Sequence, residues 1–178
     1  MLKQFHINTV AASELVSHTR RLAIYRHFGL RAENAFIWSR CFFVRDDLSN
    51  ITLGDRSFLN HFCFLENGEA IEIGDNSCLG PSVRVLTTTH DIGPHSRRVG
   101  NDCVRKPVKI GKGCWIGAGA TILPGVTIGD GCVIGAGTLV HRDCEPDGVY
   151  LGLPARRSRS LETVLPFSGT ALQQRSAS

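Results

Sequence analysis

A chain of 178 residues is long enough for one domain with its own core and a small appendage at either end. With 42% hydrophobic and 20% charged residues it has the composition of an ordinary globular protein, and no apolar run approaches the roughly 18 residues needed to span a bilayer. The net charge of +4 comes without a lysine-rich tract or a nucleic-acid motif, so neither nucleic acid nor a membrane is an expected partner.

The N-terminus carries no apolar signal core followed by a small-residue cleavage site, which makes the cytoplasm the expected compartment. Residues 13–28, SELVSHTRRLAIYRHF, place Leu15, Leu22, Ile24, Tyr25 and Phe28 at roughly helical spacing. Ser13 is the expected N-cap and Gly29 the expected stop. Arg20, Arg21 and Arg26 make this helix basic, and a helix capping the open end of a repeat fits it better than a membrane-surface helix. Residues 1–50 are therefore expected to form a helical cap.

From residue 51 the chain becomes periodic. Leu53, Leu59 and Leu65 recur at six-residue steps; two extra residues follow near Gly68, and Ile73, Leu79 and Val85 resume the phase. The expected inward partners are the small residues Ser57, Cys63, Ser77 and Val83. The pattern breaks after Val85, so residues 91–107 are expected to leave the repeat as a protruding loop.

The repeat then returns at Ile110, Ile116, Ile122, Ile128, Ile134 and Val140, with Cys114, Ala120, Val126, Cys132 and Thr138 two places before each following step. Residues two apart on a strand face the same side, so each small–large pair fills one narrow interior. Gly113, Gly119, Gly125, Gly131 and Gly137 share one phase, as corners needing φ > 0 demand. One short strand and one corner every six residues describe a triangular solenoid, three hexads to the coil. A β-sandwich would instead space its strands by about 8–12 residues. The phase also places Cys63, Cys114, Cys132 and Cys144 in the core as small reduced side chains. Cys41, Cys78 and Cys103 do not fit it. Residues 158–178 read as a polar tail, with one apolar docking cluster, LETVLPF.

The run IGKGCWIGAGATILPGVTIGDGCVIGAGTLVHRD, with GLPAR at 152–156, resembles the hexapeptide-repeat acyltransferases, and most closely their galactoside, maltose and nodulation-factor O-acetyltransferase branch. The likeness covers residues 51–157. It implies an all-β fold, the left-handed parallel β-helix, and acetyl-CoA as co-substrate with no metal required. It further implies a homotrimer, with CoA in a groove between neighbouring solenoids.

The resemblance also assigns residues. TTTH at 87–90 ends on the histidine that serves the family as general base. Neutral imidazole can take the proton of an attacking hydroxyl near pH 7. Asn60 matches a family asparagine near acceptor and base, where its amide could position the hydroxyl or help hold the base; the alternative is a corner asparagine in a turn. Glu66 could orient His90, contact the acceptor, or be a solvated carboxylate. Gly80, Ala118, Ala136 and His141 match positions lining the CoA groove, with the Ala118 N–H as oxyanion donor. Arg156 matches a basic residue near the nucleotide, and Arg157 and Arg159 could add phosphate contacts or form a basic tail. His61 and His95 are weaker alternatives as base.

The expected activity is direct acetyl transfer to a hydroxyl of a sugar or sugar-containing metabolite, within a ternary complex. The rivals are N-acetylation of an amino-sugar and a non-catalytic or metal-binding solenoid, in which His61, His90 and His95 would have to gather without ordinary zinc spacing.

Overall fold

The computed structural model describes residues 1–161. Two helices open the chain, α1 (Leu2–Phe5) and α2 (His18–His27), joined through a wider π-type stretch over His6–Ala11. The cap falls at Ser17, not Ser13, and neither it nor Leu15 behaves as the helical spacing implied. Ser13 Oγ instead accepts the Leu15 N–H in a turn, and Leu15 is 97% exposed. Gly29 does end the helix, at φ +101°. Leu22 and Tyr25 of α2 are buried against the first coil, where the Tyr25 ring meets Phe43 edge-on at 4.9 Å.

The solenoid begins at residue 31, twenty residues before the expected boundary. Its first coil is β1 (Arg31–Ala32), β2 (Phe36–Ile37) and β3 (Phe42–Phe43). The second is β4 (Ile51–Leu53), β5 (Phe58–Leu59) and β6 (Phe64–Glu66); the third is β7 (Ile71–Ile73), β8 (Cys78–Leu79) and β9 (Arg84–Leu86). Here the chain leaves as a hairpin, β10 (Thr88–Ile92) and β11 (Val99–Arg105). It re-enters as β12 (Val108–Ile110), β13 (Trp115–Ile116) and β14 (Thr121–Ile122), then β15 (Thr127–Ile128), β16 (Val133–Ile134) and β17 (Leu139–Val140). β18 (Gly148–Leu151) and β19 (Arg156–Ser160) close the far end.

Strands stack in parallel into three sheets: β1-β4-β7-β12-β15, β2-β5-β8-β13-β16-β18 with antiparallel β19 at its edge, and β3-β6-β9-β14-β17. The inward residues form columns, such as Leu59, Leu79, Ile116 and Ile134, all fully buried. Each such side chain contributes about 1.5–3 kcal/mol of burial. The small partners Ser57, Cys63, Ser77, Val83, Cys114, Ala120, Val126, Cys132 and Thr138 are buried as the phase required. Cys41 joins them at 1% exposure, because the extra first coil puts it in the same position before Phe43.

The corners explain the glycines. Gly113, Gly119, Gly125, Gly131 and Gly137 all have φ between +64° and +85°. The equivalent corners of the earlier coils hold Arg40, Arg56, Phe62, Asn76 and Ser82, also at positive φ. Side chains there meet steric strain on the order of 1–2 kcal/mol per residue, which the packing of the coils overrides.

Two further boundaries change. The 91–107 excursion is an ordered antiparallel ribbon rather than a loop. Residues 158–160 belong to β19, which pairs with β18, so the solenoid sheet runs three residues past the expected boundary. The LETVLPF cluster beyond Leu161 lies outside the described residues. No helix among the described residues is long and apolar enough to cross a membrane.

Candidate active site

The columns of the solenoid place most of the expected site residues on two edges of the triangle. The edge between the second and third sheets carries Asn60, Gly80, Ala118 and Ala136. Asn60 and Gly80 are each one residue past a stacked strand, tied by Asn60 N–H to Leu79 O at 3.0 Å and Gly80 N–H to Ile116 O at 2.8 Å. Asn60 Oδ1 accepts the N–H of the next residue, His61, at 2.8 Å, while its amide nitrogen donates no hydrogen bond among the described residues. A Cβ on Gly80 would lie 2.9 Å from Ala118 N and 3.0 Å from Ile116 O. Glycine is therefore what lets the third and fourth coils stack this closely. Ala118 and Ala136 are exposed.

His90 belongs to the other edge, between the third and first sheets. It sits on β10, exposed, where the chain has just left the core. Glu66 is the anchor of that departure. Its carboxylate Oε2 accepts the Thr88 N–H at 3.1 Å, and its backbone carbonyl accepts the Thr87 hydroxyl. Glu66 thus acts two residues upstream of His90, through the backbone of the strand that carries it. His90 itself faces Cys103 on β11, its Nε2 3.8 Å from the sulfur. Cys103 is the site neighbour that the hexad phase could not reveal, because it lies on the ribbon outside the repeat.

His141 follows β17 and so also belongs to this second edge, apart from Gly80, Ala118 and Ala136; within one chain these four do not line a single surface. It is exposed beside Arg142. Arg156 and Arg157 lie exposed on β19, where Arg157 also donates to Pro146 O at 3.2 Å. Asn60 and His90 are therefore separated by the width of the third sheet within one chain. The large groove of one chain, about 630 Å³ between α1 and α2, lies at the capped end, away from both edges, and is lined by Leu2, Ile24 and Phe28 among others.

The other histidines have partners of their own. His61 Nδ1 lies 3.0 Å from Ser39 Oγ and its ring packs against Trp38, while His95 sits near the ribbon's tip beside Arg98. Among the described residues no three His, Cys, Asp or Glu side chains gather as a metal-ligand set.

A family model described as bacterial transferase hexapeptide (six repeats) matches residues 107–142. Nodulation protein L of Rhizobium meliloti (strain 1021) is 47% identical over 107 residues, which are 60% of this chain. The match spans 58% of that protein's length. A maltose O-acetyltransferase from Clostridium difficile 630 superposes with a TM-score of 0.79 at 33% identity, covering 90% of this chain and 83% of that one. A hexapeptide-repeat acetyltransferase from Vibrio cholerae O1 biovar eltor, solved with acetyl coenzyme A, gives 0.79 at 30% identity, covering 90% and 84%. The solenoid has the left-handed turn of these proteins. The chain belongs to the hexapeptide-repeat acyltransferase family.

Proposed function

We propose that the protein is an acetyl-CoA-dependent O-acetyltransferase acting on a hydroxyl of a sugar or sugar-containing metabolite. The observation that carries this reading is His90, an exposed imidazole on a strand latched to the solenoid by Glu66. Neutral His90 takes the proton as the acceptor hydroxyl attacks the thioester carbonyl. The carbonyl oxygen gains charge in that step, and the Ala118 N–H, which donates no hydrogen bond among the described residues, is the donor for it. The acetyl group passes directly to the acceptor, and CoA leaves as the thiol. Asn60, through its free amide nitrogen, orients the hydroxyl. Arg156 and Arg157 hold the phosphates of CoA, and His141 flanks the groove.

The two edges meet when copies assemble. The outward face of the second sheet is a row of apolar side chains, Phe36, Phe58, Cys78, Trp115 and Val133, with Trp115 61% exposed. The first sheet's outward row is polar: Arg31, Thr52, Glu72, Lys109 and Thr127. An apolar face of this kind marks a contact surface. Copies packing through it head to tail close into a ring, a trimer in this proposal. The ribbon of one copy, with His90, then completes the Asn60–Ala118 edge of its neighbour. The expected location in the cytoplasm belongs to the same reading.

A thiol-release assay tests it: enzyme, acetyl-CoA, and a panel of sugars, nucleotide-sugars and glycosylated natural products. Acceptor-dependent release, reduced ~10²–10⁴-fold in His90→Ala, supports the proposal. Release that survives His90→Ala removes the base. No release with any acceptor removes the transferase, and an acetylated enzyme on the reaction path, trapped by mass spectrometry, removes direct transfer.

A further inference from the structure

We propose that Cys103 is a thiol-modification site that silences His90: a small disulfide exchanges with its thiol and leaves an adduct over the imidazole. This rests on the reading of His90 as base only for its effect on activity.

The ribbon register places the pair together. The ribbon register pairs Thr88 with Arg105, Thr89 with Val104 and His90 with Cys103, so the last two side chains lie on one face of the ribbon. Sγ then comes to 3.8 Å from Nε2. Imidazole at that distance can accept the thiol proton as sulfur attacks.

Selectivity comes from the solenoid. Of the seven free cysteines, Cys103 alone is exposed. Burial pushes the Cys114 thiol up to about 11 and the Cys144 thiol up to about 12. Burial also raises Cys132 and Cys78, while Cys63 is raised by its hydrogen bond with Cys41 and then by burial. Thiolate is the reactive form, so these five core and wall thiols are poor nucleophiles. Cys41 is 1% exposed and out of reach.

The step balances. Cys103 sulfur bonds to one sulfur of the reagent, the reagent's S–S bond breaks, and its other sulfur departs with the electron pair. The thiol proton passes through His90 to that leaving thiolate. The adduct occupies the space where an acceptor hydroxyl must approach Nε2. A reducing thiol reverses it.

The probe is 5,5′-dithiobis(2-nitrobenzoate), applied to the intact protein without substrates. The expected result is one rapidly reacting thiol per chain, mapped to Cys103 by peptide mass, with the rate about tenfold lower in His90→Asn. Adducted protein, assayed by loss of thioester absorbance, loses transferase activity in step with labelling and regains it with dithiothreitol. Cys103→Ser lacks the fast thiol, and the activity it has is the same with and without the reagent. Fast labelling elsewhere, full labelling with undiminished activity, or an unchanged rate in His90→Asn overturns the proposal. If the untreated protein shows no transferase activity, the function proposed above fails, and the His90 dependence of the labelling rate decides this proposal alone.

Discussion

Glu66 and Thr88 are joined by a hydrogen bond of 3.1 Å from the Thr88 N–H to a carboxylate oxygen, two residues before His90. The second coil thereby sets where the ribbon leaves the core. A base displaced by about 1 Å can lose on the order of 10²-fold in rate. Glu66→Ala is expected to lower kcat roughly 10–100-fold with little change in the KM for acetyl-CoA, whereas Glu66→Gln, whose amide oxygen can accept the same bond, restores most of it. Equal loss in both variants would show that the carboxylate acts by charge rather than by this bond.

Gly80 tests the close stacking of coils at the opposite edge. In Gly80→Ala the new methyl lies against backbone atoms, Ala118 N and Ile116 O, which cannot rotate away. Overpacking of this kind costs about 1–3 kcal/mol. Thermal unfolding should show a lower Tm, and calorimetry weaker acetyl-CoA binding. Full stability with unchanged binding would mean the two coils separate freely here.

Arg21 is 3% exposed and donates to four backbone carbonyls, those of Ala11, Ser13, Val16 and Ile37. It ties α2, the preceding turn and the first coil into one unit. Removing it strands several buried acceptors, each costing about 1–3 kcal/mol. Arg21→Met, which keeps the bulk, should still destabilise by about 3 kcal/mol or more in urea unfolding and release the helical cap first. A shift below about 1 kcal/mol would sink this account.

The first-sheet edge predicts a pH dependence. Hydrogen bonds from Lys112 and from the Asp55 N–H, with the Lys112 charge, hold the Asp75 carboxyl below its ordinary range; the Asp75 bond raises Lys112. A depressed carboxylate contributes stability above its unfolded pKa, lost as pH falls through its folded value. The raised lysine contributes below its unfolded pKa, and that contribution is lost as pH rises through its folded value. Lys112 is exposed and Asp75 only half-buried, so the effect is small and weakened by salt. Asp75→Asn should flatten the acid limb of the stability profile, and Lys112→Met the alkaline limb. Profiles that superpose on the wild type would discount the pair.

The regular hexads were legible because the interior admits one small and one large side chain per side, so Cys114 with Ile116 and Cys132 with Ile134 repeat without exception. The first coil was not, for three reasons. Ala32 to Ile37 is a five-residue step, Phe43 to Leu53 a ten-residue one, and the outward residues Phe36, Trp38 and Phe42 are as apolar as the inward ones. Non-glycine corners at Arg40, Phe62 and Ser82 hid the turn signal as well. His90 and Asn60 are legible only through family likeness, since spacing says nothing of what a lone histidine faces, and Glu66 only by its place one hexad past Asn60.

By itself, then, the sequence determined a six-residue period, an interior and a point of departure at TTTH, because these depend on local volume and backbone sterics. The tertiary structure decided what depends on pairing distant segments. Coil stacking put Asn60, Gly80 and Ala118 along one edge and His141 on another. The ribbon register brought Cys103 to His90, thirteen residues away in the chain, because cross-strand neighbours are chosen by the turn between them and not by any periodicity within them.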